Sequence, residues 1–431
     1  MKKSLSYAIM LLTAVVFLSG CSIGGVNKKE RDPITVKVMT YSDNDFSKFK
    51  NYIQNQFPHI TIETVDLFSL LNKENIQLGT GNERIREIIL EQKADFYFRM
   101  TPEAYVGEND LEMLDLAPLL QRDNIELNDI QQQMVADATV NGKLPYLSPT
   151  FDREVLFINR KLFQESGTAE PTGPISWNEF RELAKSVADG SPDSSGYQLE
   201  SFGWQLTYQT IANYNGLRLV DENNQLMPNR EEWKQLAQQL VQDIQDGLLS
   251  TVETFQSSYQ NDSKTGMFIG DVKALYRLQA NNATADEWSM IGLPTPFNGD
   301  YDNPRNQLMP SSMFQLDSKS PHTEALWEVV AHLMSKEAAA HIANDMMAPG
   351  LITYQEQLSF GSLKLDAFTG PVEIRDRAAA GQLTNEAYAK LNEAFRSQFE
   401  AIEKTGLEFE QGWANIEKVV DEINGDLTNF E

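Results

Sequence analysis

Polar and aromatic side chains stand at places where a predicted strand gives way to a turn. Asp43 and Asp45 follow one such strand. Arg99, Met100 and Thr101 follow another, with Tyr105 a little further on. Carboxylates accept from hydroxyl groups, a guanidinium donates in a fixed fork, and an aromatic ring covers an apolar face. Open α/β sheets take small ligands at the carboxyl ends of their strands. The chemistry on offer is therefore reversible capture of a polar small molecule. Two plainer readings stand beside it: Asp43 and Asp45 in a solvated turn, and Tyr105 on a packed helix face.

Bond-breaking chemistry has little support. The chain has four histidines and one cysteine, Cys21. No HExxH and no CxxC…H spacing occurs, so no disulfide framework, metal site or cofactor is expected. There is no GxSxG elbow and no P-loop, and Gly79-Thr80-Gly81 is a short glycine pair of a loop. Asp43-Asn44-Asp45 lacks the glycine and distal glutamate of a calcium loop. A glycosidase needs two carboxylates about a glycosidic bond, and with 62 acidic residues such a pair stays open. The formal net charge of −26 repels phosphate backbones and anionic lipid heads, so nucleic acid is not a partner.

The elements that must position these residues follow from periodicity. Ile34, Val36 and Val38 alternate with polar neighbours, which predicts a strand over Ile34–Met39. A helix is predicted from Phe46 to Phe57, stopped by Pro58, then a strand at Ile60 and Ile62. A helix over Glu83–Gln92 and an aromatic strand over Ala94–Phe98 come next. Strands alternating with helices imply a mainly parallel, doubly wound sheet. Ser176-Trp177-Asn178-Glu179 is a capping box that opens a helix with Phe180, Leu183, Ala184 and Val187 on one face. Core stripes also run through Trp233, Leu236, Leu240 and Ile244, ended by Gly247, through Leu326, Val329, Val330 and Leu333, and through Tyr388, Leu391, Phe395 and Phe399. Gly292–Pro310, with four prolines and three asparagines, is predicted to be irregular. The chain of 431 residues is long enough for two α/β lobes.

The amino terminus carries an export pattern. Lys2 and Lys3 precede an apolar run from Tyr7 to Phe17, too short to span a bilayer. The run ends in Leu18-Ser19-Gly20-Cys21, which resembles the lipobox of bacterial lipoproteins. The resemblance implies removal of residues 1–20 as a signal peptide and a diacylglyceryl thioether on Cys21, with palmitate-like chains holding the protein to the outer face of the cell membrane. Loss of the two lysines takes the net charge from −26 to −28. Residues 21–32 are predicted to form a flexible tether.

The order of segments resembles the extracellular solute-binding proteins of family 1, the sugar-binding lipoproteins of ABC importers. The likeness is carried by Gly142-Lys143-Leu144-Pro145-Tyr146 followed by Val155–Phe163, by Pro174–Phe180, by Gly266–Gly270, and by Ser318–Ser320 running to Ser335–Glu337. It covers about Ile34 to Ile352 and implies a type II periplasmic-binding-protein fold, with the ligand cleft between two α/β lobes. Crossovers are expected near Thr150–Glu154, Met309–Met313 and Met346–Leu351. The N-lobe would comprise 33–150 and 312–346, the C-lobe 151–311 and 347–431.

The resemblance adds site candidates. Asp152 matches a sugar-contacting carboxylate at the first crossover, with Arg153 beside it. Phe202 and Trp204 match an aromatic cleft segment. Asp271 and Lys273 stand where the family places a stacking tryptophan, with Tyr276 as a substitute, and Arg99 stands where it places another aromatic. Ser311, with Ser312, lies at the second crossover, and Trp413 is a stacking candidate near the C-terminus. For Asp152, Trp204 and Trp413 a hinge or core role stays open. If Arg99, Arg153 and Lys273 converge, an anionic oligosaccharide such as a uronate becomes the ligand. The expected protein is a monomeric binder that hands a carbohydrate to ABC permease subunits. The alternatives are a secreted glycosidase or lyase, and a ligand-sensing lipoprotein without transport.

Overall fold

The computed structural model describes residues 31–76, 82–106, 110–191, 193–221, 225–228, 230–252, 264–297, 307–343, 350–370 and 385–427. The export segment, Cys21, most of the tether and Gly79-Thr80-Gly81 lie outside the described residues.

Twelve strands occur among the described residues: β1 (Ile34–Thr40), β2 (Ile60–Asp66), β3 (Phe96–Phe98), β4 (Thr150–Asp152), β5 (Val155–Asn159), β6 (Ser195–Phe202), β7 (Leu249–Val252), β8 (Thr265–Gly270), β9 (Trp288–Ile291), β10 (Met309–Pro310), β11 (Phe314–Leu316) and β12 (Leu351–Ile352). They form three sheets, β11-β3-β1-β2, β10-β4-β12 and β7-β6-β8-β5-β9. In the first, β1 is parallel to β2 and β3, in the expected doubly wound manner, while β11 runs antiparallel to β3. The third departs further. β6 is parallel to β7 and β8, but β5 is antiparallel to both β8 and β9. The reason is connectivity. β11 and β5 each enter their sheet directly from the segments around β10 and β4, without the helical crossover that a parallel neighbour requires.

Period-two alternation makes the first sheet a divider between two cores. Val36, Val38, Phe96 and Phe98 point to one side, where Phe46, Phe49 and Ile53 of the helix Asp43–Gln56 meet them. Met39 and Tyr97 point to the other, against Ile85 and Ile89 of the helix Asn82–Gln92. The third sheet is likewise covered twice. Trp177, Phe180, Tyr197, Tyr208 and Trp233 fill one side. Phe157 and Phe268, stacked with ring centroids 4.6 Å apart, anchor the other with Trp288 and Phe368. The C-terminal helices Asn385–Thr405 and Phe409–Leu427 close the first of these cores, Phe395 and Phe399 each about 5 Å from Tyr208 (5.1 and 5.2 Å). Tyr388 departs from its predicted stripe. It is 40% exposed, and its hydroxyl donates to Gln209 because the helix projects past the core at that turn.

The predicted capping box is present. The Ser176 hydroxyl accepts from the Glu179 amide, and Glu179 Oε2 accepts from the Ser176 amide at 2.7 Å. These bonds hold the Glu179 carboxyl below its ordinary pKa. Ser176→Ala removes the cap from the helix Trp177–Gly190 and is expected to cost about 1 kcal/mol, read as a lower urea midpoint at an unchanged m-value.

Candidate functional site

Parts of two segments expected as crossovers, Thr150–Asp152 and Met309–Pro310, lie beside Leu351–Ile352 as the small sheet β10-β4-β12, antiparallel throughout, while residues 346–349 of the third lie outside the described residues. Met309 pairs with Asp152, and Leu351 with Phe151. Phe151 and Leu351 plug into the core beneath Phe157 and Phe268. Hydroxyl groups fasten the upper edge. Thr150 Oγ1 meets Ser311 Oγ at 2.7 Å and Ser312 Oγ at 2.6 Å. Ser148 Oγ donates to the Thr150 carbonyl and accepts from the Ser312 amide. Ser311, predicted as a ligand contact, is thus almost buried with its hydroxyl engaged by Thr150.

Asp152 ends β4 and reaches across to the third sheet. Its Oδ1 accepts from its neighbour's amide, Arg153, at 2.8 Å and from the Val272 amide at 3.0 Å. Val272 opens the helix Val272–Ala280, whose N-cap is Asp271, accepting from Lys273 and Ala274. Two carboxylates thus share one helix N-terminus. Burial first, and then the Asp271 charge, push Asp152 up to about 7, against the lowering pull of the two amides and of Lys273. Among the described residues Oδ2 of Asp152 accepts no hydrogen bond. Lys273 is exposed, 4.0 Å from Asp271. Tyr276, one turn further along that helix, packs on Phe360 with ring centroids 5.3 Å apart.

Two predicted contacts belong elsewhere. Arg153 is 4% exposed, and its guanidinium donates to the Gly370 carbonyl at 2.8 Å and toward that of Phe368, where the helix Asp366–Thr369 ends. It fastens the third sheet to that helix end. Trp413 is 1% exposed in the core with Trp177 and Tyr208, stacked on Phe409, because its helix lays an apolar face on the helix Asn385–Thr405. Phe202 ends β6 opposite Val252, and Trp204 stands in the first turn of the helix Gly203–Tyr214. Their side chains lie outside the described residues.

At the carboxyl ends of β1, β2 and β3 the predicted charges meet. Arg99 follows β3 with φ of 53°, and its guanidinium stands 3.5 Å from Asp45. Its amide donates to the Met313 carbonyl, which ties this end of the first sheet to the segment carrying Ser311 and Ser312. Asp43 and Asp45 occupy the first turn of the helix Asp43–Gln56, which begins earlier than predicted, so both carboxylates favour the helix N-terminus. Arg99, Arg153 and Lys273 each have a partner already, respectively Asp45, two carbonyls and Asp271. Tyr41 and Phe68, which the sequence reading passed over, stand at the same end, their rings stacked. The signal was present: an aromatic residue one or two positions past the end of each of two neighbouring strands.

Among the described residues, no group of three or more His, Cys, Asp or Glu is placed to hold a metal ion. No helix among them is long and apolar enough to cross a membrane.

Two α/β sheets, each with polar or charged groups at strand ends, are linked through a small sheet of three short strands. Residues 42–340 match the family of bacterial extracellular solute-binding proteins, and the chain belongs to that family. Its fold is the two-lobed type II periplasmic-binding-protein fold. The chain is similar to an ABC transporter solute-binding protein of Agrobacterium vitis with bound D-mannitol (TM-score 0.61, 18% identity, 92% of this chain and 98% of that one). It is also similar to the sugar-binding protein MalE of Xanthomonas citri (TM-score 0.61, 14% identity, 92% and 99%). A third likeness is to an ABC substrate-binding protein of Listeria monocytogenes in complex with cycloalternan (TM-score 0.58, 15% identity, 92% and 100%). None of the curated proteins matches the chain in sequence.

Proposed function

We propose that this protein captures a carbohydrate between its lobes, closes by bending at β10-β4-β12, and delivers the sugar chemically unaltered to an ABC import permease. The observation that carries the reading is the crossing sheet itself. Three strands of two or three residues each link the first sheet to the third, a geometry suited to hinge motion. Asp152 sits at the end of that junction, with one carboxylate oxygen held by backbone amides and the other turned to no described donor, in a position to meet a ligand hydroxyl. The solved structures named above carry D-mannitol or cycloalternan, or are named for sugar binding, which favours a polyhydroxylated ligand here. Asp271, Asp45 and Arg99 line the approaches, with Phe202 and Trp204 as the C-lobe aromatics. The existing pairing of Arg99, Arg153 and Lys273 favours a neutral ligand over an anionic one. Attachment to the outer face of the membrane would be through a diacylglyceryl group on Cys21, with the globule acting as a monomer. Lobes 33–150 with 312–346 and 151–311 with 347–431 are the moving bodies in this reading.

A thermal-shift screen of the chain from residue 22 against mono- and oligosaccharides tests the proposal. A ligand at 100 times its dissociation constant adds about 2.7 kcal/mol to the folded state. Chromatography of the recovered sugar should show it intact. A cleaved product would return the glycosidase reading, and no stabilisation by any saccharide would end the carbohydrate reading.

A further inference from the structure

Four large hydrophobic side chains are exposed among the described residues: Phe68, Val140, Met309 and Tyr388. Tyr388 has a polar tip that donates to Gln209, Met309 belongs to the crossing sheet, and Val140 forms a tight bridge with Lys143. Phe68 is different. It is 42% exposed and sits in the first turn of the helix Leu67–Lys73, directly past the carboxyl end of β2. Its ring stacks on Tyr41, just past the end of β1, with centroids 5.6 Å apart and planes inclined by 28°. The Tyr41 hydroxyl meets that of Tyr105, past the end of β3, at 3.1 Å. Three neighbouring strands of one sheet thus each contribute an aromatic residue to one corner.

Hydrogen bonds brace the corner. The Phe68 amide donates to the Tyr41 carbonyl. Asp66 clasps both loops, Oδ2 accepting from the Asp43 amide at 3.0 Å and Oδ1 from the Ser69 amide at 2.7 Å. Those bonds hold the Asp66 carboxyl below its ordinary pKa although burial opposes them. Tyr41 and Tyr105 pack partly against the core of Met39, Leu67 and Tyr97, so the ring beneath Phe68 is fixed from below. A preorganised ring face binds without the entropic cost of ordering a loop. The rim is polar: the Tyr41–Tyr105 hydroxyl pair on one side, and Asp45 with Arg99 at the same strand ends. Arg99 is bonded through its amide to Met313, so the corner adjoins the crossing segment.

A partly exposed ring stacked on a tyrosine, with a hydroxyl pair beside it and a carboxylate–guanidinium pair at the same end of the sheet, complements one chemical shape well. A pyranose presents C–H groups on its face and hydroxyls at its edge. We infer that Tyr41 and Phe68 form a stacking platform for one pyranose ring of the ligand, with the Tyr41–Tyr105 pair and Asp45 taking its edge hydroxyls. The inference rests on the carbohydrate reading above and adds the residues that select a ring over an open-chain polyol. The aromatic surface that the sequence lacks at Arg99 is supplied instead from the loops after β1 and β2.

The test is calorimetric titration of the chain from residue 22, unaltered and as Phe68→Ala and Phe68→Trp, with maltotriose, cellotriose, xylotriose, mannotriose and tri-galacturonate. At least one trisaccharide should bind the unaltered chain, tenfold or more weakly to Phe68→Ala, and with affinity restored in Phe68→Trp. The unliganded melting point should stay within a degree or so, since Phe68 is exposed. Undiminished affinity in Phe68→Ala overturns the platform and leaves carbohydrate capture standing. Binding of none of the five by the unaltered chain overturns the platform, and the carbohydrate reading falls with it only if the screen of mono- and oligosaccharides is negative as well.

Discussion

Replacing Gly350 with alanine is expected to cost about 3 kcal/mol of stability and to weaken ligand capture tenfold or more, an effect transmitted through the hinge. Gly350 immediately precedes β12 and lies against β4 in the crossing sheet. A Cβ at this position would fall inside contact distance of the Ser311 hydroxyl oxygen and the Phe151 carbonyl oxygen, and only 2.9 Å from the Phe151 carbonyl carbon. Overpacking a tight site commonly costs about 1–3 kcal/mol. The top of that range applies because the obstacle is backbone on one side and a hydroxyl already held by Thr150 on the other. Neither yields by a simple rotamer change. The added methyl must push β12 from β4 or break the Thr150–Ser311 bond, and in the two-lobe reading proposed above either would displace one lobe relative to the other. A ligand that needs both lobes then meets a chain whose closed state is less populated, and its apparent affinity falls by that fraction. Urea unfolding and titration of the saccharide found in the screen check the two effects separately. An alanine variant with unchanged midpoint and affinity would show that the three strands do not act as a tightly packed hinge.

The difference between what the sequence discloses and what it conceals follows from the range of the forces involved. The helix Trp177–Gly190 was legible because its cap is a local exchange between residues three apart, and its apolar face repeats with the helical period. β1 was legible because alternation is local as well. Proline-bounded breaks together with family likeness suggest where crossings fall, whereas the antiparallel pairing of β5 and β11 leaves no local signal. Sheet order depends on where the chain returns, and periodicity carries no record of that. The site was the least legible. Arg153 and Trp413 are residue types that suit a sugar cleft, but whether a guanidinium meets a ligand or the Gly370 carbonyl is decided by a helix end more than two hundred residues away. Conversely, Tyr41 and Phe68 look unremarkable one at a time. Only the parallel register of β1 and β2, with Thr40 opposite Asp66, brings the residues after them face to face.

Asp152→Asn is expected to make the unliganded protein more stable at pH 8, by as much as about 4 kcal/mol, while changing little near pH 4. The folded chain holds this carboxyl at about 7, against an ordinary value of 3.8, because burial and the Asp271 charge disfavour the anion. Between those two values the folded state binds more protons than the unfolded one, so stability falls as pH rises. The contribution is fully present below about pH 4 and is lost as pH passes through about 7. A displacement of about three pH units corresponds to about 4 kcal/mol at 1.36 kcal/mol per unit, an upper bound because solvent and the nearby Lys273 charge soften it. Asparagine keeps an oxygen for the amides of Arg153 and Val272 but carries no charge, so its urea midpoint should be nearly flat from pH 5 to pH 8 while that of the unaltered chain declines. Ligand capture should change in the opposite sense at high pH, since a carboxylate accepts from sugar hydroxyls more strongly than an amide oxygen does. A variant that is stabilised at pH 8 yet binds more weakly would mark Asp152 as a residue whose burial cost is retained for the ligand. Parallel pH profiles for the two proteins would mean that Asp152 is already ionised at neutral pH and that the crossing strand does not hold a strained carboxyl.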